Sequence, residues 1–439
     1  MQRTRAGVAA TDALESSPGG VENMALLETL KSCGPIAAHD YPFPGTPSYR
    51  KEWPHALLPR SDGPRSARTA PRRCRRIDLA GANRPARGFG FISQGFLLSS
   101  SNDYLAHSSD GSFEFTEIGL NFTLPATDRL TLGLQIFSHD LGPIGDYRAT
   151  LDWFAVDYHW RDWLGLRAGR VKLPFGLYND SSDIDSARTS ILLPQSIYPA
   201  QNRDFLLAQT GFELYGYRGL GAGGGVDYRL YGGTIFLDTR PQPGSPITVV
   251  DLNVPFVAGG RFLWMPPIDG LRLGGSVQFL RLETNLLLTA MPNPVAVNIP
   301  AMLWVASVEY AVRDLVFAAE YSRWRVRTES SEPSIFPQGL TFSERGYALA
   351  SYRLNPWLQA GAYYSVLFPN VQRRGGREGR EFDAALTLRF DVNRYWLVKV
   401  EGHYLHGTAG LSSSLNGNRP LSALEPDWAL FAVKTTAFF

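Results

Sequence analysis

The stretch LRAGRVKLPFGLYNDSSDIDSARTSILLPQSIYPAQNRDFLLAQTG, residues 166–211, is the most informative part of this chain about its fold. It begins inside an amphipathic segment, Trp163 to Lys172, and continues as the longest insertion without a repeating pattern in the patterned part of the sequence. Fixed charges are mixed there with apolar residues, among them Ile191, Leu192 and Leu193. A free surface loop rarely needs such apolar anchors. We therefore expect a strand of a barrel wall, followed by a segment that folds into a wet lumen.

The composition favours a membrane β-barrel. Aromatic residues make up 12% of the 439 residues, and charged residues make up 19%, which is below the roughly 25% of soluble domains. No apolar run reaches the roughly 18 residues that a membrane-spanning helix needs. Strands of a membrane barrel alternate between apolar and polar residues and need no such run, so this architecture remains open.

The net charge of +2 is divided unevenly along the chain. Residues 1–87 contain 14 Lys and Arg against 8 Asp and Glu, whereas the remainder contains 29 against 33. The remainder is therefore mildly acidic and lacks the basic face of a nucleic-acid-binding protein, so we expect no nucleic-acid partner. Both cysteines, Cys33 and Cys74, lie in the first part. A cysteine-free remainder suits passage through an oxidising periplasm.

Residues 1–87 are rich in Pro, Arg, Ser and Gly and show no sustained periodicity. We interpret them as a disordered or mis-assigned N-terminal segment. An export signal would combine a basic start, an apolar core and a small-residue cleavage site. The nearest candidate, Met24 to Ala38, is interrupted by Glu28, Lys31 and Pro35. Our hypothesis is that the start codon is wrongly assigned or that the export signal is missing.

Residues 88–439 consist of short alternating segments. We count about 16 strand candidates, each near the roughly 9 to 11 residues that cross a bilayer. Tight turns alternate with long connections, which predicts an all-β fold, a transmembrane antiparallel barrel with short periplasmic turns and long extracellular loops. A soluble sandwich would distribute long loops over both ends. The predicted loops are residues 99–112, 138–147, 174–209, 237–254, 283–300, 326–345, 368–380 and 407–427, and the third of them is expected to fold into the pore.

The closure of this barrel is predicted from its last segment. Ala429 to Phe439 carries apolar residues at alternate positions, with Lys434 on the other face. An open edge in lipid would leave backbone groups without hydrogen bonds, so this strand must pair with the first strand, Phe89 to Leu98.

The register of the strands is predicted from the cost of exposing charge to lipid. In Ala301 to Val312, Met302 and Trp304 share one face with other apolar residues, and Glu309 lies on the opposite face. A slip by one residue would turn this carboxylate toward lipid, at up to roughly 2 to 4 kcal/mol near the midplane. The same argument places Glu320, Lys399 and Glu401 inside.

Tryptophans near the predicted strand ends indicate a girdle at the membrane interface, where an indole keeps its ring in hydrocarbon and its N–H wet. These tryptophans are Trp163, Trp264, Trp304, Trp324, Trp357, Trp396 and Trp428.

Two motifs that suggest a cofactor or a metal have simpler interpretations. Gly219, Gly221 and Gly224 satisfy the dinucleotide fingerprint, but the strand-like segment after them stands where that fold needs a helix. We interpret the glycines as a hairpin turn. His403 and His406 are three residues apart, so on a strand they point to opposite faces. We therefore predict no cofactor and no metal.

Charged residues in the third loop and on inward strand faces are the candidate site. They are expected to form opposed acidic and basic walls, whose transverse field orders water and filters solutes by size and charge. The alternative is a solvated surface loop. The predicted pore-lining residues are Arg167, Asp180, Asp183, Asp185, Arg188, Arg203, Asp204, Asp157, Arg229, Arg272, Glu309, Glu320, Lys399 and Glu401.

The segment LRAGRVKLPFG, Leu166 to Gly176, together with the third-loop position and the terminal Phe439, resembles the phosphate- and polyphosphate-selective porins of Gram-negative bacteria and their broader relatives. The resemblance implies a 16-stranded diffusion channel that forms a homotrimer and whose third loop constricts each pore. Phosphate selectivity in that family relies on many pore-facing Arg and Lys residues. From residue 88 onward this chain has only three lysines, Lys172, Lys399 and Lys434, so phosphate specificity is not extended to it.

We therefore expect a porin of the bacterial outer membrane, a passive channel for small hydrophilic solutes and ions, with outer-membrane lipid around it and no catalysis. One rival is a barrel hydrolase that uses Ser138, His139 and Asp140, although no G-x-S-x-G nucleophile elbow occurs. A second rival is a structural or adhesive barrel that its own loops plug.

Overall fold

The computed structural model describes residues 85–237, 247–288 and 293–439, apart from the side chains of Asp204 and Ile247. Almost all of the predicted N-terminal segment, residues 1–87, lies outside the described residues, and Arg87 already belongs to the first strand. None of the helices in the described ranges is long and apolar enough to cross a membrane.

The chain forms a closed antiparallel barrel of 16 strands, in which each strand pairs with its neighbours in sequence. This confirms the predicted all-β barrel and its strand count. The strands are β1 Arg87–Ser99, β2 Phe115–Pro125, β3 Leu130–Leu141, β4 Thr150–Arg161, β5 Leu164–Lys172, β6 Ala208–Gly219, β7 Gly225–Ile235, β8 Ile247–Met265, β9 Leu271–Leu288, β10 Val295–Val312, β11 Leu315–Ser330, β12 Gly339–Asn355, β13 Leu358–Phe368, β14 Glu381–Asn393, β15 Trp396–Gly407 and β16 Asp427–Phe438.

The barrel closes between β1 and β16, as the sequence predicts. Their register runs from Phe91 opposite Phe438 to Ser99 opposite Leu430. The terminal residue extends the pairing, because the Gly90 and Phe439 backbones exchange two hydrogen bonds, each 2.9 Å long. Every edge of the sheet is therefore paired, as a wall in lipid requires.

The connections alternate in length around the barrel. The eight connections at one rim have 6 to 35 residues, and the turns at the other rim have 2 to 5. The third loop, residues 173–207, is the longest of them and folds into the lumen, as predicted.

Strands β8 to β12 are 16 to 19 residues long, which the sequence analysis did not predict. Much of the predicted loops 237–254, 283–300 and 326–345 is strand. Their outward side chains become polar beyond the apolar band, and Asp251 accepts a hydrogen bond from the Asn285 amide at 2.9 Å there. At these ends of the strands the sequence no longer alternates between apolar and polar residues, although the hydrogen bonds between the strands continue beyond the membrane.

The outward face is apolar and the inward face carries the charges, in the predicted register. Phe317, Tyr321 and Phe431 are exposed on the outer surface, whereas Glu309 and Lys399 are buried. The alternation along each strand therefore separates the lipid-facing side chains from the charged ones.

The predicted tryptophan girdle is wrong at two of its seven positions. Trp324 and Trp428 are buried inside the barrel, because each lies on the inward parity of its strand. Trp428 packs edge-on against Tyr104 at 5.2 Å and donates a hydrogen bond to the Gly407 carbonyl at 3.2 Å. The remaining five are partly or largely exposed: Trp163, Trp264, Trp304, Trp357 and Trp396.

The inner face is apolar in one sector, which the expected wet lumen did not include. Part of the inner face of β7 to β12 is apolar, with Leu280, Leu282 and Val305 buried in one cluster. Residues of the third loop, including Phe175 and Ile197, pack onto these side chains. The loop thus covers this sector of the wall, and the interior there is dry.

Replacing Leu230 with Arg tests which face of the wall meets lipid. Leu230 is exposed on the outer face near the middle of β7. We expect Leu230→Arg to lower the free energy of unfolding in lipid bilayers by about 2 to 4 kcal/mol, measured by urea titration. Leu220→Arg, in the short turn of the same hairpin, is the control and should cost little. Equal costs at both positions would contradict the assigned outer face.

Candidate functional site

The third loop leaves the wall through the segment Leu173 to Gly176. Leu173 and Phe175 are buried in the apolar cluster of the lumen. Gly176 has φ +59°, and a Cβ there would meet Tyr198 and Glu320. Only glycine takes this left-handed conformation without strain, so Gly176 turns the chain from the wall into the barrel.

The first anchor of the loop is Asp180. Arg261 of β8 donates two hydrogen bonds to its carboxylate, both 2.9 Å, and Arg229 of β7 donates a third at 2.9 Å. Lys172 of β5 contacts the Asp180 carbonyl and pairs with Asp183 at 3.2 Å. Such bidentate charged contacts are strong and directional, so they fix the loop to the wall at β5 and β7 to β8.

The second anchor is Asp185, five residues further along. Its carboxylate pairs with Lys434 at 2.9 Å, Arg188 at 3.2 Å and Lys399 at 3.6 Å. Burial raises the pKa of Asp185, but Lys434, Lys399 and Arg188 outweigh it and hold the pKa below the ordinary value for Asp. The Thr436 hydroxyl donates a further hydrogen bond at 2.6 Å.

The wall at β15 and β16 also holds the backbone of the loop. Lys399 donates to the carbonyls of Asp185 and Ser190 at 2.8 and 2.9 Å. Glu401 accepts the backbone N–H groups of Ile191 and Leu192 at 2.8 and 2.9 Å. Side chains of opposite charge thus bind opposite ends of the peptide groups, and the loop is fixed in register against β15.

A third anchor lies on β10 to β12. Glu320 accepts hydrogen bonds from the Leu177 N–H at 2.9 Å, from Tyr347 at 2.8 Å and from the Tyr198 hydroxyl. The Tyr178 hydroxyl donates to Glu309 at 3.0 Å. Glu309 also pairs with Arg272 at 2.6 Å.

The anchors at β7 to β8 and at β15 to β16 are eight strands apart in a ring of 16. The third loop therefore crosses the full width of the lumen between opposite walls. Asp180 and Asp185 are 4% and 2% exposed, so both anchors are shielded from water.

Gaps remain beside the loop, and one of about 70 Å³ lies against the largely apolar sector of β9 to β12. Two others have several charged residues in their linings. One, of about 80 Å³, lies against β2 and β3, and its lining includes Glu117, His139 and Arg203. The other, of about 120 Å³, lies against β10 to β14, and its lining includes Arg353 and Arg389. Both gaps are narrow and have mixed linings of charged and apolar side chains, and their volumes accommodate only a few water molecules.

The gap at β10 to β14 opens toward the short-turn rim. A vestibule of about 640 Å³ at that rim is lined by turn residues such as Asn393 and Arg394. Ser186 and Arg389 line both the vestibule and this gap. The two spaces therefore share a boundary at Ser186 and Arg389.

Most of the predicted site residues are inside the barrel, but their arrangement differs from opposed acidic and basic walls. Each acidic residue of the loop described above is paired with cations. Arg167, a predicted pore-lining residue, pairs with Asp157 at 2.9 Å and Glu213 at 2.8 Å on the wall and not with the acidic residues of the loop. The transverse arrangement is wrong, because low-dielectric burial favours neutralised pairs over separated charge.

The remaining predicted residues are accounted for individually. Arg188 lines both gaps, and Arg203 lies over the Phe137 ring at 5.0 Å. The side chain of Asp204 lies outside the described residues. That these residues line a permeation path stays a prediction.

Sequence reasoning missed several residues of the site. Arg261, Glu213 and Lys434 complete the ion pairs. His403 lies between Asp383 and Glu401, at 2.9 and 3.1 Å. The alternation of apolar residues along each strand was the available signal for all of them. No group of three metal-ligating side chains occurs in the described ranges.

The Asp185 anchor is tested by Asp185→Asn. Removing Asp185 leaves the buried Lys399 without a carboxylate partner and Lys434 with Glu117 alone, so we expect the free energy of unfolding to fall by about 3 to 5 kcal/mol. The measurement is urea unfolding of the full chain. Asp110→Asn, on an exposed loop position, should change stability by less than about 0.5 kcal/mol.

The stability difference between wild type and Asp185→Asn should depend on pH. Because the pKa of Asp185 is lowered in the folded protein, its stabilisation is complete above the unfolded value of about 3.9 and is lost as the pH falls further. The stability difference between wild type and Asp185→Asn should therefore narrow below about pH 4. A constant difference down to pH 3 would contradict the lowered pKa.

Comparison with known proteins shows the fold. The sequence matches no protein-family profile and no curated protein. Among solved structures, the chain is similar to OmpT of Vibrio cholerae with a TM-score of 0.51 and 10% identity, over 82% of this chain and 100% of that one. It is similar to an anion-selective porin of Comamonas acidovorans with a TM-score of 0.50 and 12% identity, over 81% and 99% of the two chains.

A third solved structure, OmpF of Salmonella typhi in complex with daunomycin, has a TM-score of 0.50 and 13% identity, over 81% of this chain and 98% of that one. At these identities the likeness concerns the fold. The narrower resemblance to phosphate-selective porins has no support from these matches and stays a prediction. The chain therefore has the porin-like barrel fold of outer-membrane proteins.

Proposed function

We propose that this chain is a porin of the bacterial outer membrane, a channel for passive diffusion of small hydrophilic solutes and ions. The observation that carries the proposal is the third loop, which ion pairs hold across the lumen and which leaves gaps beside it with charged side chains in their linings. A barrel wall in lipid with a polar passage inside is the architecture of a diffusion channel. The proposed assembly is a homotrimer, as the resemblance of Leu166 to Gly176 implies.

The outer-membrane location is supported by the surface of the barrel. Apolar and aromatic side chains such as Phe212, Leu230 and Phe262 are exposed on the outer wall. A soluble protein of this size would bury such a continuous apolar surface. The rim of short turns then faces the periplasm, and the rim of long loops faces outward.

The gaps determine which solutes pass. Their lining combines Glu117 and Arg203 on one side of the loop, and Glu309 with Arg353 on the other. Charged linings keep water in a narrow passage, and their narrowness selects small solutes. The loop thus acts as a filter whose position the buried ion pairs fix.

The proposal assigns no catalysis. Ser138 and His139 are neighbours on β3 and therefore point to opposite faces. The Ser138 hydroxyl donates to the Tyr147 carbonyl at 2.8 Å, and His139 is buried. This geometry supports a channel over the hydrolase alternative, since a nucleophile and its base must lie within hydrogen-bond reach. Hydrolysis of lipid or peptide by the purified barrel would favour the enzyme.

A plugged structural barrel is the second candidate, and the tightness of the loop favours it. Lys399 and Lys434 are 0% and 1% exposed, and the gaps of about 80 and 120 Å³ are small. In this alternative the same ion pairs seal the barrel instead of shaping a passage.

Conductance in planar bilayers separates the two candidates. The channel proposal expects discrete conductance steps from the wild-type protein. Deleting residues 177–205 should increase the conductance in either case, because the barrel is then unobstructed. If wild type does not conduct and the deletion variant does, the barrel is plugged by its third loop.

Single substitutions identify which gap conducts. Arg203 lines only the gap at β2 to β3, and Arg353 lines only the gap at β10 to β14. Charge reversal to Glu in the conducting gap should move the reversal potential under a salt gradient toward cations.

The control is Arg218→Glu, an exposed position at the short-turn end of β6. It should leave the reversal potential unchanged. If neither Arg203→Glu nor Arg353→Glu shifts the potential, neither gap is the permeation path.

A further inference from the structure

The outer wall carries a cluster of arginines close to the long-loop rim. Arg323, Arg325 and Arg327 occupy alternate positions of β11, on the face opposite to the buried Ser322 and Trp324. Their side chains therefore point away from the lumen. Charge on a lipid-facing wall is costly near the midplane of the bilayer and costs little at the interface, so three such residues mark an interface.

The height of the cluster is set by aromatic side chains beside and just below its first arginine, Arg323. Tyr321 precedes Arg323 on the same face, and its ring contacts Trp304 at 5.3 Å. Trp304 lies directly opposite Arg323 in the β10 to β11 register. Aromatic rings of this kind mark the boundary between hydrocarbon and headgroups. The arginines therefore begin where lipid headgroups begin.

The cluster extends over neighbouring strands. Arg281 of β9 lies opposite Pro300 of β10, and the register of β10 and β11 places Arg327 on the other side of Pro300. Two strand spacings separate these arginines, about 10 Å. Arg374, on the loop between β13 and β14, pairs with Glu344 of β12 at 2.5 Å and completes the patch.

The carboxylates nearby leave the patch positive. Glu283 pairs with Arg281 at 4.0 Å, Glu329 pairs with Arg327 at 3.2 Å, and Glu344 pairs with Arg374. Each of these three pairs is at the surface, where water and salt weaken it. Neither Arg323 nor Arg325 forms an ion pair with a carboxylate of the described residues.

Aromatic rings hold two of the guanidinium groups in place. Arg323 lies over the Phe342 ring at 4.8 Å, and Arg374 lies over the Phe368 ring at 4.5 Å. Stacking leaves the edge of the Arg323 guanidinium available to donate hydrogen bonds, and such an edge matches two oxygens of a phosphate, whereas the edge of Arg374 pairs with Glu344. The guanidinium groups are therefore positioned before any ligand arrives.

We propose that this arginine patch, Arg281, Arg323, Arg325, Arg327 and Arg374, binds the phosphate groups of a phosphorylated glycolipid in the outer leaflet. The phosphates lie at the height of the arginines, and the acyl chains run along the apolar wall beside Tyr321 and Phe317 below them. Charge-assisted contacts between Arg and phosphate supply the specificity, and the apolar wall supplies the rest of the contact. The proposal rests on the membrane location proposed above and is independent of conductance.

The test measures binding of fluorescently labelled lipid A, a glycolipid with two phosphates, to the full chain in detergent micelles. Fluorescence anisotropy gives the affinity for lipid A and for its dephosphorylated form. We expect wild type to prefer the phosphorylated form. Replacing both Arg323 and Arg325 with Gln should weaken that binding roughly thirtyfold and leave binding of the dephosphorylated form unchanged.

Two further variants control for charge and for folding. Arg323→Lys combined with Arg325→Lys keeps the positive charge but loses the planar edge with two donors, so its affinity for lipid A should lie between those of wild type and the Gln double variant. Arg161→Gln removes an exposed arginine that stacks on Trp160 at 5.5 Å near the opposite rim, and it should bind lipid A as wild type does. The barrel signal in circular dichroism reports folding of each variant. Because all five positions are on the outer wall or loops, conductance should not change.

The proposal is overturned if wild type binds both forms equally, or if the Gln double variant binds lipid A as tightly as wild type. Displacement of the lipid by millimolar inorganic phosphate would show a site for free anions and would overturn the lipid assignment. If wild type does not conduct but still prefers phosphorylated lipid A, the channel proposal is contradicted and the lipid-binding proposal is supported.

Discussion

Charges buried inside the barrel must be neutralised locally, and this requirement fixes the course of the third loop. Asp180 and Asp185 are only five residues apart, a distance of at most about 17 Å along the chain, yet they bind opposite walls. The remaining width is bridged by long side chains from the walls, Arg261 on one side and Lys434 on the other. Short carboxylates on the loop and long cations on the wall are the arrangement that spans the lumen.

The ion pairs position the loop, and apolar burial stabilises it between them. Phe175 and Ile197 of the loop pack against Leu280 and Val305 of the wall. Burying side chains of this size contributes about 1.5 to 3 kcal/mol each, whereas a buried ion pair is close to neutral in net stability. The pairs therefore specify where the loop lies, and the dry sector of the wall supplies much of the stability that holds it there.

The sequence predicted the barrel, its strand count, its closure and the inward course of the third loop, because each follows from the two-residue period and from loop lengths. It did not predict partners. Asp185 and Lys434 are 249 positions apart in sequence, and only the closed ring brings β16 beside the loop. The alternation of residues along a strand shows which side of the sheet a side chain faces. It does not show which side chains of the third loop lie opposite, so opposed acidic and basic walls were expected where the structure has ion pairs. The inward tryptophans Trp324 and Trp428 were misjudged for the same reason: proximity to a strand end does not determine the face.

The outer wall follows the same rule of matching each side chain to its surroundings. Along β11 the outward residues change from Phe317 through Tyr321 to Arg323 and Arg327, and then to Glu329. This order places an apolar group, an aromatic group, cations and a carboxylate at successive heights, as hydrocarbon gives way to headgroups and then to water. Strands β8 to β12 continue beyond this boundary, because their outward side chains are solvated there and their backbone hydrogen bonds remain paired. The extra strand length and the arginine patch therefore have one cause, since both record where the lipid ends on this side of the barrel.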